Sequence, residues 1–278
     1  MSYANPDALV ATDWLEANLE NPDVRIIEVD EDTEAYERDH IPGALDWNWA
    51  LDLHHPLRRD YLDREGFSDL LRKAGVLNDT TVVLYGGNNN WFAAYAYWLL
   101  KYRGFSKVKL LDGGRKKWNI ENRPLSTDNP AYDKSTVSIT GAERPDLRAL
   151  RDYVLSELET STFVDVRSPE EYLGEKLAPD HLPQEQPYVG GHVPGAKNIP
   201  WSKAANEDGS FKSADELAAL YGDAGITGGS DVIAYCRIGE RSSHTWFVLH
   251  ELLGYEKVRN YDGSWTEYGS LVNVPVEK

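Results

Sequence analysis

The chain of 278 residues has a single cysteine, Cys236. One thiol excludes a disulfide within the chain and any cysteine-rich metal site, so we expect no metal. Basic residues are also outnumbered: 29 Lys and Arg stand against 46 Asp and Glu, a net charge of −17. Nucleic acids and anionic membrane surfaces attract basic proteins. We therefore expect neither a nucleic acid nor a membrane as a partner.

Long apolar runs are absent as well. No stretch approaches the roughly 20 apolar residues that a membrane-spanning helix requires. The first seven residues have neither the basic nor the apolar region of a signal peptide, so we expect a cytoplasmic protein. The chain does contain ample material for folding, since 41% of its residues are hydrophobic and 11% are aromatic. A chain of this length and composition suits two domains of ordinary size.

The sequence repeats itself. Residues 82–86 (Val-Val-Leu-Tyr-Gly) are similar to residues 232–236 (Val-Ile-Ala-Tyr-Cys), an offset of 150 residues, and Asp-Gly-Gly at 112–114 returns as Asp-Gly-Ser at the same offset. Further upstream, residues 40–44 and 192–196 share the pattern His-Ile/Val-Pro-Gly-Ala. These matches indicate two copies of one domain in the same element order.

The two copies predict the domain organisation and the fold. We expect an N-terminal domain at 1–121, a linker rich in proline and small polar residues at 122–140, and a C-terminal domain at 141–278. In each copy, short apolar segments alternate with helical patterns. This predicts an α/β fold, a mainly parallel sheet flanked by helices.

Individual elements follow from the same patterns in the first copy. Thr12 is expected to be the N-cap of a helix that runs through Leu19. The apolar segments predict strands at 26–29, 82–85 and 108–111 and a helix at 91–102.

The copies differ at the residue that follows their central apolar segment. The second copy has Cys236 there and the first has Gly86, so only the second carries a thiol. We therefore expect the N-terminal domain to be non-catalytic. The second copy also has about 15 extra residues in a loop at 174–190. Such an insertion is either surface decoration or a lid over a nearby site.

Cys236 begins a short loop between an apolar strand-like segment and a helix-like segment at 243–250. A helix N-terminus directs backbone N–H groups and the positive end of its dipole at such a position. Arg237 and Arg241 add positive charge, and Gly239 permits the backbone angles that a tight loop needs. We expect these features to lower the thiol pKa from about 8.5 into the range of roughly 3.5–7.5, which makes Cys236 a nucleophilic thiolate.

Four motifs of the second copy resemble the rhodanese superfamily, specifically the tandem-domain thiosulfate sulfurtransferases. They are Asp165-Val166-Arg167 with Tyr172, the Gly-His-Val-Pro-Gly-Ala run at 191–196, the Cys236 loop, and Asp-Gly-Ser-Trp at 262–265. The resemblance covers nearly the whole chain. It implies two rhodanese-like folds, with catalysis in the C-terminal one near the domain interface and no cofactor.

The resemblance also implies a two-step reaction. Cys236 takes the sulfane sulfur of thiosulfate as a persulfide, sulfite is released, and the sulfur passes to a thiophilic acceptor, which is cyanide or a thiol. A partner protein is an alternative acceptor. The resemblance and the loop together assign Cys236 as catalytic and assign seven residues to substrate binding: Arg167, Arg237, Ile238, Gly239, Glu240, Arg241 and Ser242.

The loop arginines bear on the choice of donor. Guanidinium groups suit the sulfonate-like head of thiosulfate. The loop motif Cys-Arg-x-Gly, which includes Arg237, resembles the loop of thiosulfate enzymes. The loop of 3-mercaptopyruvate enzymes resembles Cys-Gly-x-Gly instead. Two positions depart from the tandem thiosulfate enzymes: Glu171 stands where they have a substrate-binding Arg, and Ile238 where they have a Lys. A 3-mercaptopyruvate sulfurtransferase therefore remains an alternative.

Other reaction classes also remain open. The loop of Cys-dependent phosphatases resembles the pattern Cys-x5-Arg. In this chain one residue fewer separates Cys236 from Arg241, which gives the pattern Cys-x4-Arg. The shorter loop suits a single persulfide sulfur better than a tetrahedral phosphate. A Cys-dependent phosphatase or arsenate reductase, and a non-catalytic persulfide carrier module, are the remaining alternatives.

Some polar residues of this copy also have structural interpretations. Two roles fit Arg167. It either forms a buried ion pair that anchors the loop or contacts the substrate. His192 suits a turn-building role, because the copy without a thiol keeps its equivalent, His40. His244 is expected at a solvent or interface position.

Overall fold

The computed structural model describes residues 2–30, 34–179 and 186–278. The chain forms two compact units. The N-terminal unit consists of Asp7–Arg144 and Asn206–Phe211, and the C-terminal unit consists of Met1–Pro6, Pro145–Ala205 and Lys212–Lys278. Each unit thus contains one copy of the repeat and a short segment from elsewhere in the chain. The boundaries at 121 and 141 remain our proposal for the limits of the two domains.

Within the described residues, the N-terminal unit is built on a five-stranded parallel sheet. Its strands are β1 (Leu9–Val10), β2 (Val24–Asp30), β3 (Leu45–Asn48), β4 (Thr81–Tyr85) and β5 (Val108–Leu111). They pair in the order β1-β5-β4-β2-β3, and every pairing is parallel. The accompanying helices are α1 (Thr12–Ala17), α2 (Glu34–Arg38), α3 (Trp49–Asp52), α4 (Arg64–Lys73), α5 (Trp91–Tyr102) and α6 (Gly114–Ile120).

The C-terminal unit has the same architecture over its described ranges. Its five strands are β6 (Arg148–Ala149), β7 (Thr162–Asp165), β8 (Lys197–Asn198), β9 (Val232–Tyr235) and β10 (Val258–Tyr261), in the parallel order β6-β10-β9-β7-β8. Its helices are α7 (Arg151–Ser156), α8 (Pro169–Tyr172), α9 (Ala214–Gly222), α10 (Glu240–Phe247) and α11 (Ser264–Tyr268), and a π-helical turn at Val248–Leu252 extends α10. Short 3-10 turns occur at Pro6–Ala8, Asn88–Asn90, Pro145–Leu147 and Trp201–Ala204.

The register of the C-terminal sheet determines where its strands end. Asp165 of β7, Tyr235 of β9 and Tyr261 of β10 lie side by side in the ladder. The carboxyl ends of parallel strands meet at one edge of a sheet, which is the usual place for a site in α/β folds. Cys236 directly follows Tyr235 and therefore lies at this edge.

The expected fold class is confirmed in both units. The three strands and the long helix expected in the first copy correspond to β2, β4, β5 and α5. The expectation for α1 is wrong in detail, because Ala11 is its N-cap and the helix ends at Ala17. Thr12 is the first helical residue, and its hydroxyl donates to Glu121 Oε2 at 2.6 Å instead of capping the helix.

The loop expected at 174–190 is described in part, since residues 180–185 lie outside the described residues. Its far end is attached to α11. The Val189 N–H donates to the Gly269 carbonyl at 3.0 Å, and the Trp265 indole donates to the Val189 carbonyl at 2.9 Å. Across the described part of the chain, no helix combines the length and the apolar character needed to cross a membrane.

Candidate active site

Cys236 is the first residue after β9, and α10 begins four residues later at Glu240. The turn between them depends on Gly239, whose φ of +102° lies in the left-handed region. A Cβ atom at this position would lie 2.7 Å from the Asp262 Cα atom. Both the backbone angle and the close approach therefore require glycine.

Polar groups surround the sulfur. The Gly239 N–H donates to Cys236 Sγ at 3.1 Å, and the Ser242 N–H also stabilises the ionised sulfur. The thiol in turn donates to Glu240, with Sγ and Oε2 3.5 Å apart. The Cys236 N–H donates to Ser264 Oγ at 3.0 Å. Because Cys236 is fully buried, these protein groups take the place of water around the sulfur.

The pKa of the Cys236 thiol is raised, and the expectation of a lowered pKa is wrong. Burial is the largest cause, because a buried thiolate loses its hydration, and the Glu240 carboxylate adds repulsion. Arg241 and the N–H groups of Ser242 and Gly239 act in the opposite direction and do not outweigh these effects. The positive groups are visible in the sequence, whereas the burial of Cys236 and its contact with Glu240 arise only in the folded chain.

Arg241 is paired with an acid from another helix. Its Nη1 and Nη2 donate to Glu171 Oε2 and Oε1 at 2.9 and 3.0 Å. Glu171 Oε2 also accepts the Ser168 N–H at 3.1 Å, in the capping box that begins α8. Burial raises the pKa of the Glu171 carboxyl, but the hydrogen bonds and the charge of Arg241 outweigh it, so this pKa lies below its usual range. Arg241 Nε is buried without a hydrogen-bond acceptor among the described residues.

Arg167 forms a second buried ion pair. Its Nε and Nη2 donate to the Asp165 carboxylate at 3.0 and 2.5 Å, and Nη2 also donates to the Gly191 carbonyl at 2.7 Å. The guanidinium carbon lies 4.8 Å from the centre of the Trp265 ring. These contacts favour the interpretation of Arg167 as an anchor beside the site.

Asn260 of β10 holds the turn from behind, and the sequence reasoning missed it. Its Nδ2 donates to the Gly239 carbonyl at 3.0 Å and to Ser243 Oγ at 2.8 Å, and its Oδ1 accepts the Ser242 hydroxyl at 2.6 Å. Both serine hydroxyls also donate to the Gly239 carbonyl. One signal in the sequence does point to Asn260. It is a polar residue within a buried strand, and the equivalent position of the first copy is Leu110.

The remaining loop and helix residues are placed as follows. Arg237 is fully buried and Ile238 is half-buried. The solvent position expected for His244 is wrong, because this residue is fully buried on α10, and burial lowers its pKa to about 3. Its ring meets Trp201 edge-on, with the ring centres 5.2 Å apart. His244 is therefore a neutral side chain of α10 that packs against Trp201.

The equivalent turn of the N-terminal copy is closed by an amide. The Gly86 N–H donates to Asn90 Oδ1 at 2.9 Å, and Asn90 Nδ2 donates to the Leu111 carbonyl at 2.6 Å. At the repeat offset, Gly86 corresponds to Cys236 and Asn90 corresponds to Glu240. The first copy thus has neither the thiol nor the carboxylate at these two positions.

Each repeated histidine makes the same two contacts to the tyrosine of its own copy. His192 Nδ1 is 2.8 Å from the Tyr172 carbonyl, and its ring stacks on Tyr172. His40 Nδ1 is 2.9 Å from the Tyr36 carbonyl, and its ring stacks on Tyr36. These matching contacts agree with a turn-building role.

Comparison with known families fits this architecture. The profile of the Rhodanese-like domain matches residues 11–121 and, a second time, residues 150–271. The chain belongs to the rhodanese family. The two matched regions correspond to the two copies seen in the sequence, and the second contains Cys236.

Two curated relatives of this rhodanese are similar over the whole chain. A Mycobacterium tuberculosis protein named "Putative thiosulfate sulfurtransferase" is 59% identical over 276 residues and is matched over 99% of both chains. The "Sulfur carrier protein TtuD" of Thermus thermophilus is 52% identical over 283 residues, which covers 100% of this chain and 99% of that protein. The family and these relatives support sulfur transfer as the chemistry of the chain.

Among solved structures, EanB in complex with ergothioneine covalently linked to a cysteine persulfide has a TM-score of 0.83 and 26% identity to this rhodanese. The similarity covers 98% of this chain and 70% of EanB.

Proposed function

We propose that the chain is a thiosulfate sulfurtransferase that carries sulfane sulfur on Cys236 to a thiophilic acceptor, a thiol or cyanide. The Cys236 thiolate attacks the outer sulfur of thiosulfate, the S–S bond of thiosulfate breaks, and sulfite leaves with the electron pair. The acceptor then takes the outer sulfur of the persulfide, which returns Cys236 to the thiolate. The reaction as written uses no cofactor.

The observation that carries this proposal is the hydrogen bond from the Gly239 N–H to Cys236 Sγ, 3.1 Å long, in a turn with Cys-x4-Arg spacing. Fixed N–H donors stabilise an anionic sulfur without reorganisation during the reaction. The name of the 59% identical relative supports thiosulfate as the donor, and the persulfide in the EanB structure supports a cysteine-bound sulfur intermediate.

Intact-mass spectrometry tests the reaction class. The native protein, treated with thiosulfate and then freed of it, should gain the mass of one sulfur atom and lose it when cyanide is added. Cys236→Ser should stay folded and gain nothing. A native protein that gains no sulfur, or a Cys236→Ser variant with full transfer activity, would refute the proposal.

Arg237 tests the choice of donor. A charge-assisted hydrogen bond contributes about 1.5–3 kcal/mol, so Arg237→Gly should weaken the use of dianionic thiosulfate by roughly ten- to hundredfold in kcat/KM. We expect a smaller loss with 3-mercaptopyruvate. Equal losses with both donors would contradict a donor-selecting role. Better turnover of 3-mercaptopyruvate than of thiosulfate by the native protein would identify it as the donor instead.

A persulfide carrier is the second candidate, favoured by the 52% identity to a protein named as a sulfur carrier. Such a protein hands its persulfide to a partner protein. It should form a stable persulfide in one equivalent yet turn over slowly with small thiols or cyanide. Fast multiple turnover with these acceptors would argue against the carrier. Turnover of a chromogenic phosphomonoester would instead point to the phosphatase class.

A further inference from the structure

Glu240 is the acid that faces the reacting sulfur. Its Oε2 lies 3.5 Å from Cys236 Sγ, and the thiol donates to it. Cys236 is fully buried and Glu240 is 2% exposed, so the proton of this thiol is shielded from solvent. Glu240 is the first residue of α10 and therefore has a position fixed relative to the turn.

The repeat supports a link between this acid and the thiol. In the copy with Gly86 in place of Cys236, the position of Glu240 is held by Asn90, an amide that does not titrate in the physiological range. Asn90 has a structural task there, since it bonds the Gly86 N–H and the Leu111 carbonyl. In the C-terminal copy Ser264 bonds the corresponding N–H, so Glu240 is not needed to close the turn.

Two arginines of the site are already paired with carboxylates other than Glu240. Arg241, on α10, is joined to Glu171 of α8. Behind Glu171, Arg167 is joined to Asp165 of β7.

Two further arginines belong to this unit, Arg148 in β6 and Arg237 in the turn itself. Arg148 is joined to Asp262, whose backbone packs against Gly239. Arg237 is buried within the turn. His244, one helical turn after Glu240, is neutral because burial lowers its pKa to about 3.

A second full negative charge beside Glu240 is unfavourable in this setting. A thiolate next to an ionised Glu240 places two anions 3.5 Å apart in a buried site. Moving the proton from sulfur to the carboxylate avoids this, because the pair then keeps a single negative charge. The N–H groups of Gly239 and Ser242 stabilise that charge when it is on sulfur.

We propose that Glu240 is the proton acceptor of Cys236, which takes the thiol proton as the thiolate forms and holds it until the persulfide is discharged. This inference rests on the proposed function. The S–H bond breaks, and an O–H bond forms on Glu240. The thiolate then bonds to the outer sulfur of thiosulfate, and sulfite leaves with the electron pair of the broken S–S bond. After cyanide has taken the outer sulfur as thiocyanate, Cys236 is a thiolate again and recovers its proton from Glu240.

This assignment predicts a particular pH dependence. A proton that moves within a buried pair does not exchange with solvent, so the rate of sulfur uptake should be level across neutral pH. In Glu240→Gln the thiol must lose its proton to solvent. The rate of sulfur uptake by this variant should fall about tenfold for each pH unit below the thiol pKa. Above that pKa the rate should reach or exceed the native rate.

The experiment measures single-turnover sulfur uptake from thiosulfate, by rapid quench and intact-mass spectrometry, across the neutral pH range. Native protein, Glu240→Gln and Glu175→Gln are compared. The last removes the same charge from an exposed side chain of the same unit and should keep the native rate and the level profile. Failure of the native protein to take up sulfur at any pH would sink the proposed function, whereas the comparison of profiles tests Glu240 alone.

Two results would overturn the assignment. A sloping native profile that Glu240→Gln moves to lower pH would mean that Glu240 only repels the thiolate. A level profile in Glu240→Gln at the native rate would mean that Glu240 has no part in proton transfer.

Infrared difference spectroscopy provides a second measurement if Glu240→Gln does not fold. Loading the native protein with sulfur should produce the C=O band of a protonated carboxyl group. The band should be absent from Cys236→Ser treated in the same way, and Glu240→Asp, which keeps the acid, should show it at a shifted frequency. Loading without this band in the native protein would refute the assignment.

Discussion

Glu171 and Arg241 join the first turn of α8 to the first turn of α10 through two parallel hydrogen bonds, although 70 residues separate them in the chain. Glu171 occupies the position at which the tandem thiosulfate enzymes resembled by the chain have a substrate-binding arginine. The negative charge of Glu171 is thus balanced inside the protein by Arg241 of α10. The Nε–H group of Arg241 is not engaged by the described residues.

Glu171→Gln should destabilise the protein strongly. Removing one partner of a buried ion pair leaves the other charge without compensation, at a cost of about 3–5 kcal/mol in the free energy of unfolding. Urea unfolding monitored by tryptophan fluorescence measures this loss. Glu175→Gln, an exposed carboxylate four residues further along, should change it by no more than about 0.5 kcal/mol. Equal effects of the two substitutions would show that Arg241 finds another partner.

The same pair predicts a loss of stability in acid. The pKa of Glu171 in the folded state lies below its usual range, whereas in the unfolded chain it is about 4.3. The stability that Glu171 contributes is therefore fully present above about pH 4.3 and is lost as the pH falls through the folded-state pKa. Thermal unfolding at a series of acidic pH values should show a steeper decline for the native protein than for Glu171→Gln. Parallel declines would contradict this linkage.

Gly239→Ala should damage the turn that surrounds the sulfur. The new Cβ meets the Asp262 backbone at 2.7 Å, and a φ of +102° is strained for alanine. We expect a destabilisation of about 1–3 kcal/mol and a large loss of sulfur uptake, because the Gly239 N–H moves away from Cys236 Sγ.

Gly222→Ala is the matched control for this change. Gly222 lies in α9, no atom beyond its chain neighbours and the backbone of its own helix lies within 4 Å of an added Cβ, and its φ is not in the left-handed region. Alanine there should stabilise the helix by about 0.4–1 kcal/mol and leave sulfur uptake unchanged. Similar behaviour of the two variants would remove the case for a special conformation at Gly239.

Asn260→Leu, which introduces the side chain found at the equivalent position of the first copy, should impair the site through the turn. The substitution leaves the Ser242 hydroxyl without the Asn260 Oδ1 acceptor and removes one donor to the Gly239 carbonyl. The Ser242 and Ser243 hydroxyls still bond the Gly239 carbonyl, so the cost is that of the lost Asn260 hydrogen bonds, about 0.5–1.5 kcal/mol each. The rate of persulfide formation should fall, while Ser243→Ala, which removes only one of several donors to that carbonyl, should have a smaller effect. An undiminished rate in Asn260→Leu would show that the turn holds its shape without this support.

Much of the fold was predictable because it depends on local patterns. The apolar segments that became β4 and β5, and the helical segment that became α5, are continuous in sequence and bury most of their side chains. The start of α1 was not predictable in detail. Thr12 has the residue type of an N-cap, but its hydroxyl finds Glu121, which is 109 residues away.

The sequence by itself determined that the chain holds two copies of one fold and that a lone thiol follows the central strand of the second. Periodicity and residue identity carry that information because they act over a few neighbouring residues. Only the tertiary structure decided that Arg241 is paired with Glu171 and that Asn260 supports the turn. It also decided that burial and Glu240 raise the pKa of Cys236. Desolvation and the contacts between distant segments arise only when the chain packs, so no local pattern records them.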